Sequence, residues 1–256
     1  MSISEVGGSV LREIRIWGEM ASLLIDPVFY GAAMPRGDGR LAVVIPGLFG
    51  NDLYLLPLRS FLHRIGYRPV RSSLFMNAGC PQRLREQIER EIDRNSKDAA
   101  ERVVVIGHSR GGLLARAIAG DLQERVSHLV TLGAPMGVVP MVATDGWDAA
   151  INSAVRARPV LGLSLAARLV TDRNCAFPQC DCAFPKAVTR ALNPRTAMLS
   201  IFTPDDPIVA ATACRTDEGA NFEVGGSHSG LAFNRRVYRE LAHFLSREHE
   251  ASPAAR

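Results

Sequence analysis

The stretch that decides the fold is Val103-Val104-Val105-Ile106-Gly107-His108-Ser109-Arg110-Gly111-Gly112. Its four consecutive β-branched residues make a buried strand, and a Gly-x-Ser-x-Gly turn follows at once. Leu113 to Ala119 then reads as a helix. Strand, tight turn and helix in succession mark a nucleophile elbow, which a bare Gly-x-Ser-x-Gly would not. Such a turn strains the backbone at Ser109 and lifts its hydroxyl above the sheet. Gly107 and Gly111 stand where side chains would clash, and Gly112 gives the helix room to cross the strand. The helix N-terminus sets backbone N–H groups beside the serine, where a developing oxyanion is stabilised.

Working outward, the same rhythm recurs on both sides. Leu41 to Ile45 is a buried strand closed by Pro46-Gly47, and a helix follows at about 53–65, ending at Gly66. Arg68 to Leu74 is a second strand. Residues 82–95 form a helix with Leu84, Ile88 and Ile92 on one stripe and Arg85–Glu89 as an i,i+4 pair. Ser127 to Leu132 is another strand, ending in Gly133-Ala134-Pro135. Strands resume at Thr196 to Thr203 and Asn221 to Val224. The last helix covers about 234–246, with Val237, Leu241 and Leu245 inward. Upstream, Val10, Ile14, Trp17, Ala21 and Leu24 place one apolar face on a helix at 9–25. Alternating strands and helices predict an α/β fold, a mostly parallel sheet with helices on both faces. Residues 136–194 break the rhythm and read as a cap inserted over the sheet.

A chain of 256 residues, 47% hydrophobic, suits one α/β domain over 1–256. The net charge of +4 comes from scattered basic residues, so no nucleic-acid-binding stripe is expected. Arg12, Glu13, Arg15 and Glu19 interrupt the first apolar stretch, so it is no secretory h-region, and a cytoplasmic location is the expectation. Contact with a membrane surface is left open and nothing indicates it; the oligomeric state is open too. Five cysteines are present: Cys80, Cys175, Cys180, Cys182 and Cys214. Free thiols, a disulfide from the Cys175–Cys182 cluster to Cys214, and a structural metal are the three readings, in that order.

A serine hydroxyl needs a base to take its proton and an acid to hold that base in one tautomer. With this type of elbow the chain order is serine, acid, histidine. Thr203-Pro204-Asp205-Asp206-Pro207 is a strand end running into an acidic loop. Gly225-Gly226-Ser227-His228-Ser229-Gly230 is a small-residue loop before the last helix. His63 and His128 precede the acid, and His243 and His249 lie in the terminal helix or tail. The ring of His108, inside the elbow, is expected to point away from the reacting face. His228 is therefore the candidate base. Asp206 is preferred to Asp205 because neighbouring side chains in extended chain point oppositely, and Ile208 and Val209 anchor the loop behind Asp206. For the oxyanion, the candidate donors are the backbone N–H of Arg110 and that of Leu48, in the loop Pro46-Gly47-Leu48-Phe49-Gly50, where Gly47 is expected to allow the sharp turn.

These motifs resemble the α/β-hydrolase superfamily, in its bacterial lipase and esterase branch, over about residues 35–247. Pro46-Gly47-Leu48-Phe49-Gly50 is similar to the His-Gly-x-x-Gly loop of bacterial lipases, with proline for histidine. Val130-Thr131-Leu132-Gly133-Ala134-Pro135 is similar to their Thr-Leu-Gly-x-Pro strand end. Asn77-Ala78-Gly79-Cys80, Ser200-Ile201-Phe202 through Cys214, and Ser227-His228-Ser229-Gly230-Leu231 resemble a narrower group of lipase-like hydrolases. The resemblance aligns Asp206 with the family acid, although Asp-Pro-Ile-Val stands where the group carries Asp-Gly-Val-Val. It makes Cys214 a regular feature, with Cys180 or Cys182 as its expected disulfide partner. It implies a serine hydrolase acting on a small-molecule or lipid ester through an acyl-enzyme, with no metal or organic cofactor. The alternatives are an acyltransferase, thioesterase or amidase with the same triad, or a non-catalytic binding protein of that fold. The apolar residues Trp147, Val160, Leu161, Leu163 and Leu165 of the insert suggest an acyl groove, or simply cap packing.

Overall fold

The computed structural model of the chain describes residues 16–139 and 183–247. Six strands are described: β1 (Leu41–Ile45), β2 (Arg68–Arg71), β3 (Val103–His108), β4 (Val126–Leu132), β5 (Ala197–Phe202) and β6 (Ala220–Glu223). They form one sheet in the order β2-β1-β3-β4-β5-β6, every neighbouring pair parallel. The helices are α1 (16–25), α2 (Leu56–Arg64), α3 (Pro81–Asn95), α4 (Arg110–Leu122), α5 (Phe184–Thr189), α6 (Ala211–Cys214) and α7 (Arg235–Leu245).

A parallel sheet must be covered on both faces, and alternate strand residues feed two apolar layers. Ala42, Val44, Val104, Ile106, Val130 and Ile201 face one side, with Phe61 of α2 and Leu241 of α7. Val43, Ile45, Val105 and Leu129 face the other, with Ile88 of α3 and Leu114 of α4. The strand β2 closes one edge. It is four residues long and carries Arg68, Pro69 and Arg71, a composition that discourages pairing with another chain.

Register matters most for the site. Ile45 pairs with Gly107, His108 with Leu132, and Leu132 with Ile201. The carboxyl ends of β1, β3, β4 and β5 therefore lie along one rim. Strand order reverses direction between β1 and β3, and α/β sheets bind ligands at such a point. Ser109 is the first residue beyond β3.

Two expectations are corrected. The helix α1 does not bury Trp17 and Leu24; Trp17 is 68% exposed, and Ile16, Met20 and Leu23 face the core instead. The two stripes have the same spacing, so periodicity alone could not separate them. The helix α5 falls inside the range read as cap, yet Phe184, Ala187 and Val188 join the core layer beside α4. The rest of that range, 140–182, lies outside the described residues, as do Trp147, Val160, Leu161, Leu163, Leu165, Cys175, Cys180 and Cys182 with the pairing expected of them. Among the described residues, no helix is long and apolar enough to cross a membrane.

Candidate active site

Ser109 occupies a backbone conformation that non-glycine residues rarely adopt, φ 52° and ψ −124°. Two hydrogen bonds hold it there. Its N–H donates to Leu132 O at 2.7 Å, and its carbonyl accepts from Gly112 N at 2.8 Å. The turn closes so tightly that side chains have no room. A Cβ at position 107 would fall 2.2 Å from Gly111 O, and one at 111 would fall 2.4 Å from both Ile45 O and Pro46 O. This steric exclusion accounts for the glycines flanking the serine.

His228 and Asp206 come from loops at the same rim. His228 Nδ1 lies 2.6 Å from Asp206 Oδ2, and both residues are buried, 3% and 1% exposed. The second oxygen of Asp206 accepts from Ile208 N at 2.7 Å and Val209 N at 2.8 Å. The chain turns over the carboxylate behind Pro207, so that two successive N–H groups donate to one oxygen. The carboxylate is thus fixed in rotation, with its remaining oxygen aimed at the ring. Asp205 is exposed.

Gly133, immediately after β4, locates the ring relative to the serine. A Cβ there would sit 3.2 Å from His228 Cε1 and Nδ1, while the preceding residue, Leu132, accepts the Ser109 N–H. His108, next to Ser109 in the chain, also contacts His228. Its Nε2 lies 3.0 Å from His228 O, and the two rings are 5.0 Å apart. The structure thus brings Ser109, Asp206 and His228 to one place on the rim.

The ring of His108, expected to point away from the reacting face, packs against the His228 ring with its Nε2 toward the His228 backbone carbonyl. Burial pushes its pKa down to about 3, with the neighbouring His228 adding to the shift. A neutral ring facing a carbonyl carries its proton on Nε2. That leaves Nδ1 as an acceptor, and it is buried with no hydrogen-bond partner among the described residues.

The loop after β1 abuts the serine. A Cβ at Gly47 would lie 2.9 Å from His108 Nδ1 and 3.2 Å from Ser109 Cβ. Close approach, and not a turn, is what requires this glycine; the residue with positive φ in the loop is Phe49, at 59°. Among the described residues, the N–H of Leu48 has no backbone acceptor. Arg110 opens α4, where helix geometry provides no intrahelical acceptor for its N–H.

One supporting residue escaped the sequence reading. Glu19 of α1 accepts from Ser227 N at 2.8 Å and Ser227 Oγ at 2.6 Å, beside His228. In sequence it is one charge among several on a polar helix face. Only the loop's arrival from 208 residues away distinguishes it.

The PGAP1-like alpha/beta domain family matches residues 78–166. A sequence comparison with curated proteins gave no match. Solved structures with a similar fold include polyneuridine aldehyde esterase, at 15% identity and a TM-score of 0.54, covering 82% of this chain and 100% of that one. A monoacylglycerol lipase from Paleococcus ferrophilus has 13% identity and a TM-score of 0.54 over 83% of this chain and 96% of its own. An enol-lactonase from Burkholderia xenovorans has 14% identity and a TM-score of 0.51 over 82% and 93%. Its parallel sheet and these likenesses show that the chain has the α/β-hydrolase fold.

Proposed function

We propose that this protein is a serine hydrolase that cleaves carboxylic esters through Ser109, His228 and Asp206. The observation that carries the reading is the buried 2.6 Å contact of Asp206 with His228 Nδ1 at the rim where the strained Ser109 emerges. An Asp206 carboxylate accepting from Nδ1–H fixes the His228 tautomer in which Nε2 is the basic nitrogen. That nitrogen takes the proton of Ser109 as Oγ attacks the ester carbonyl. The N–H groups of Leu48 and Arg110 hold the oxyanion. Collapse of the tetrahedral adduct expels the alcohol, which receives the proton from His228. Water then repeats the sequence on the acyl-enzyme and releases the acid. Nothing in these steps calls for a metal or organic cofactor.

The fold neighbours are named as a polyneuridine aldehyde esterase, a monoacylglycerol lipase and an enol-lactonase, which agrees with an ester substrate. Phe75, 93% exposed, and Leu53 stand on the loops after β2 and β1. Apolar side chains there favour a lipophilic acyl or alkyl group. A panel of p-nitrophenyl esters of increasing acyl length tests the reading. Hydrolysis with a length preference is expected. Absence of turnover across the panel by folded protein would count against it.

A further inference from the structure

The side chain of Arg110 is engaged away from the serine. Its Nη1 donates to Asn77 O at 3.0 Å and to Asn77 Oδ1 at 2.8 Å, and its Nη2 donates to Gly79 O at 2.6 Å. Asn77 is fully buried and in turn carries the loop after β1. Its Nδ2 donates to Pro46 O at 2.6 Å, its N–H donates to Gly50 O at 2.8 Å, and its carbonyl accepts from Phe49 N at 3.0 Å. These bonds bracket Leu48 on both sides. The amide orientation is determinate, because a guanidinium only donates and a peptide carbonyl only accepts.

We propose that Asn77 is a positioning residue that sets the oxyanion hole, coupling its two donors through the side chain of Arg110. The inference rests on the serine-hydrolase reading above. One donor is the N–H of Arg110, and the other is the N–H of Leu48 on the loop that Asn77 holds. The guanidinium of the first donor's own residue therefore fixes the place of the second. A pre-set spacing matters because an oxyanion forms only in the transition state, and donors that must first move contribute less there than fixed ones.

Two substitutions test it. Asn77→Asp keeps an acceptor for Arg110 but turns an oxygen toward Pro46 O, where a donor stood. Arg110→Lys keeps the backbone N–H but replaces a fork that spans three acceptors by a single ammonium group. Each should lower kcat on the order of 10- to 100-fold with KM nearly unchanged, the pattern of a contact made only in the transition state. The affinity for a trifluoromethyl ketone, whose serine adduct carries an oxyanion, should fall by the same factor. Arg110→Met should lose more than Arg110→Lys. Amide hydrogen exchange over residues 46–50 supplies a readout independent of turnover and should quicken in Asn77→Asp. Unchanged kcat and ketone affinity in both variants overturn the proposal while leaving the serine-hydrolase reading intact. If the parent protein hydrolyses no ester, that reading fails, and unchanged exchange at 46–50 in Asn77→Asp then overturns the coupling on its own. Should Asn77→Asp not fold, the two Arg110 variants decide.

Discussion

Two aspartates stand side by side at the end of β5, and only one meets the histidine. Asp206 is 2.6 Å from His228 and takes two backbone N–H groups on its other oxygen, whereas Asp205 is exposed. Asp206→Asn should therefore lower kcat on the order of 10³- to 10⁴-fold, because an amide cannot hold the imidazole in the required tautomer. Asp205→Asn should stay close to the parent. Steady-state kinetics of the pair on one ester separates them, and an equal loss in both would remove Asp206 from its role. Ser109→Ala should lose about 10³-fold or more in kcat with the fold intact.

At the scale of elements, the elbow is the most constrained piece of chain. A methyl group at Gly107 would press on the backbone of Gly111, which cannot yield without displacing α4 from β3. Gly107→Ala should destabilise the protein by about 3 kcal/mol or more, read from the denaturant midpoint. A stability equal to the parent's would show that α4 can shift. The helix α1 makes a second test. Glu19→Ala removes both acceptors of Ser227, so the loop bearing His228 should exchange its amides faster and kcat should fall. The elbow was legible because its demands are local: β-branched run, glycines at fixed offsets and a helix behind. Chain order and the surrounding turn residues pointed to His228 and Asp206, and the structure sets these two side chains 2.6 Å apart. The facing of α1 was not, because Ile16-Met20-Leu23 and Trp17-Ala21-Leu24 offer equivalent stripes. Glu19, Asn77 and the guanidinium of Arg110 were also illegible as a support, since each acts on a partner that only the folded topology brings near.

For the molecule as a whole, the two apolar layers were written in the strands, whose near-continuous Val and Ile runs mark burial on both faces. What the strands did not reveal is a neutral histidine in the polar cluster between core and solvent. His108 has its pKa pushed down to about 3 from 6.5, chiefly by burial. The unfolded chain therefore binds a proton that the folded one resists across that window. The contribution of this group is present above about pH 6.5 and is lost as the pH falls from there toward 3. His108→Gln removes the titration and keeps a donor for His228 O, so unfolding free energy should depend less steeply on pH between those values. Identical slopes in the two proteins would place the acid sensitivity elsewhere. In the proposed hydrolase, the rim formed by β1, β3, β4 and β5 activates one serine. Treating the folded protein with a fluorophosphonate and locating the adduct by peptide mass spectrometry shows which serine that is. A single stoichiometric adduct on Ser109, strongly slowed in Asp206→Asn, is the expected result. An unlabelled Ser109, or labelling of another serine at equal rate, would contradict it.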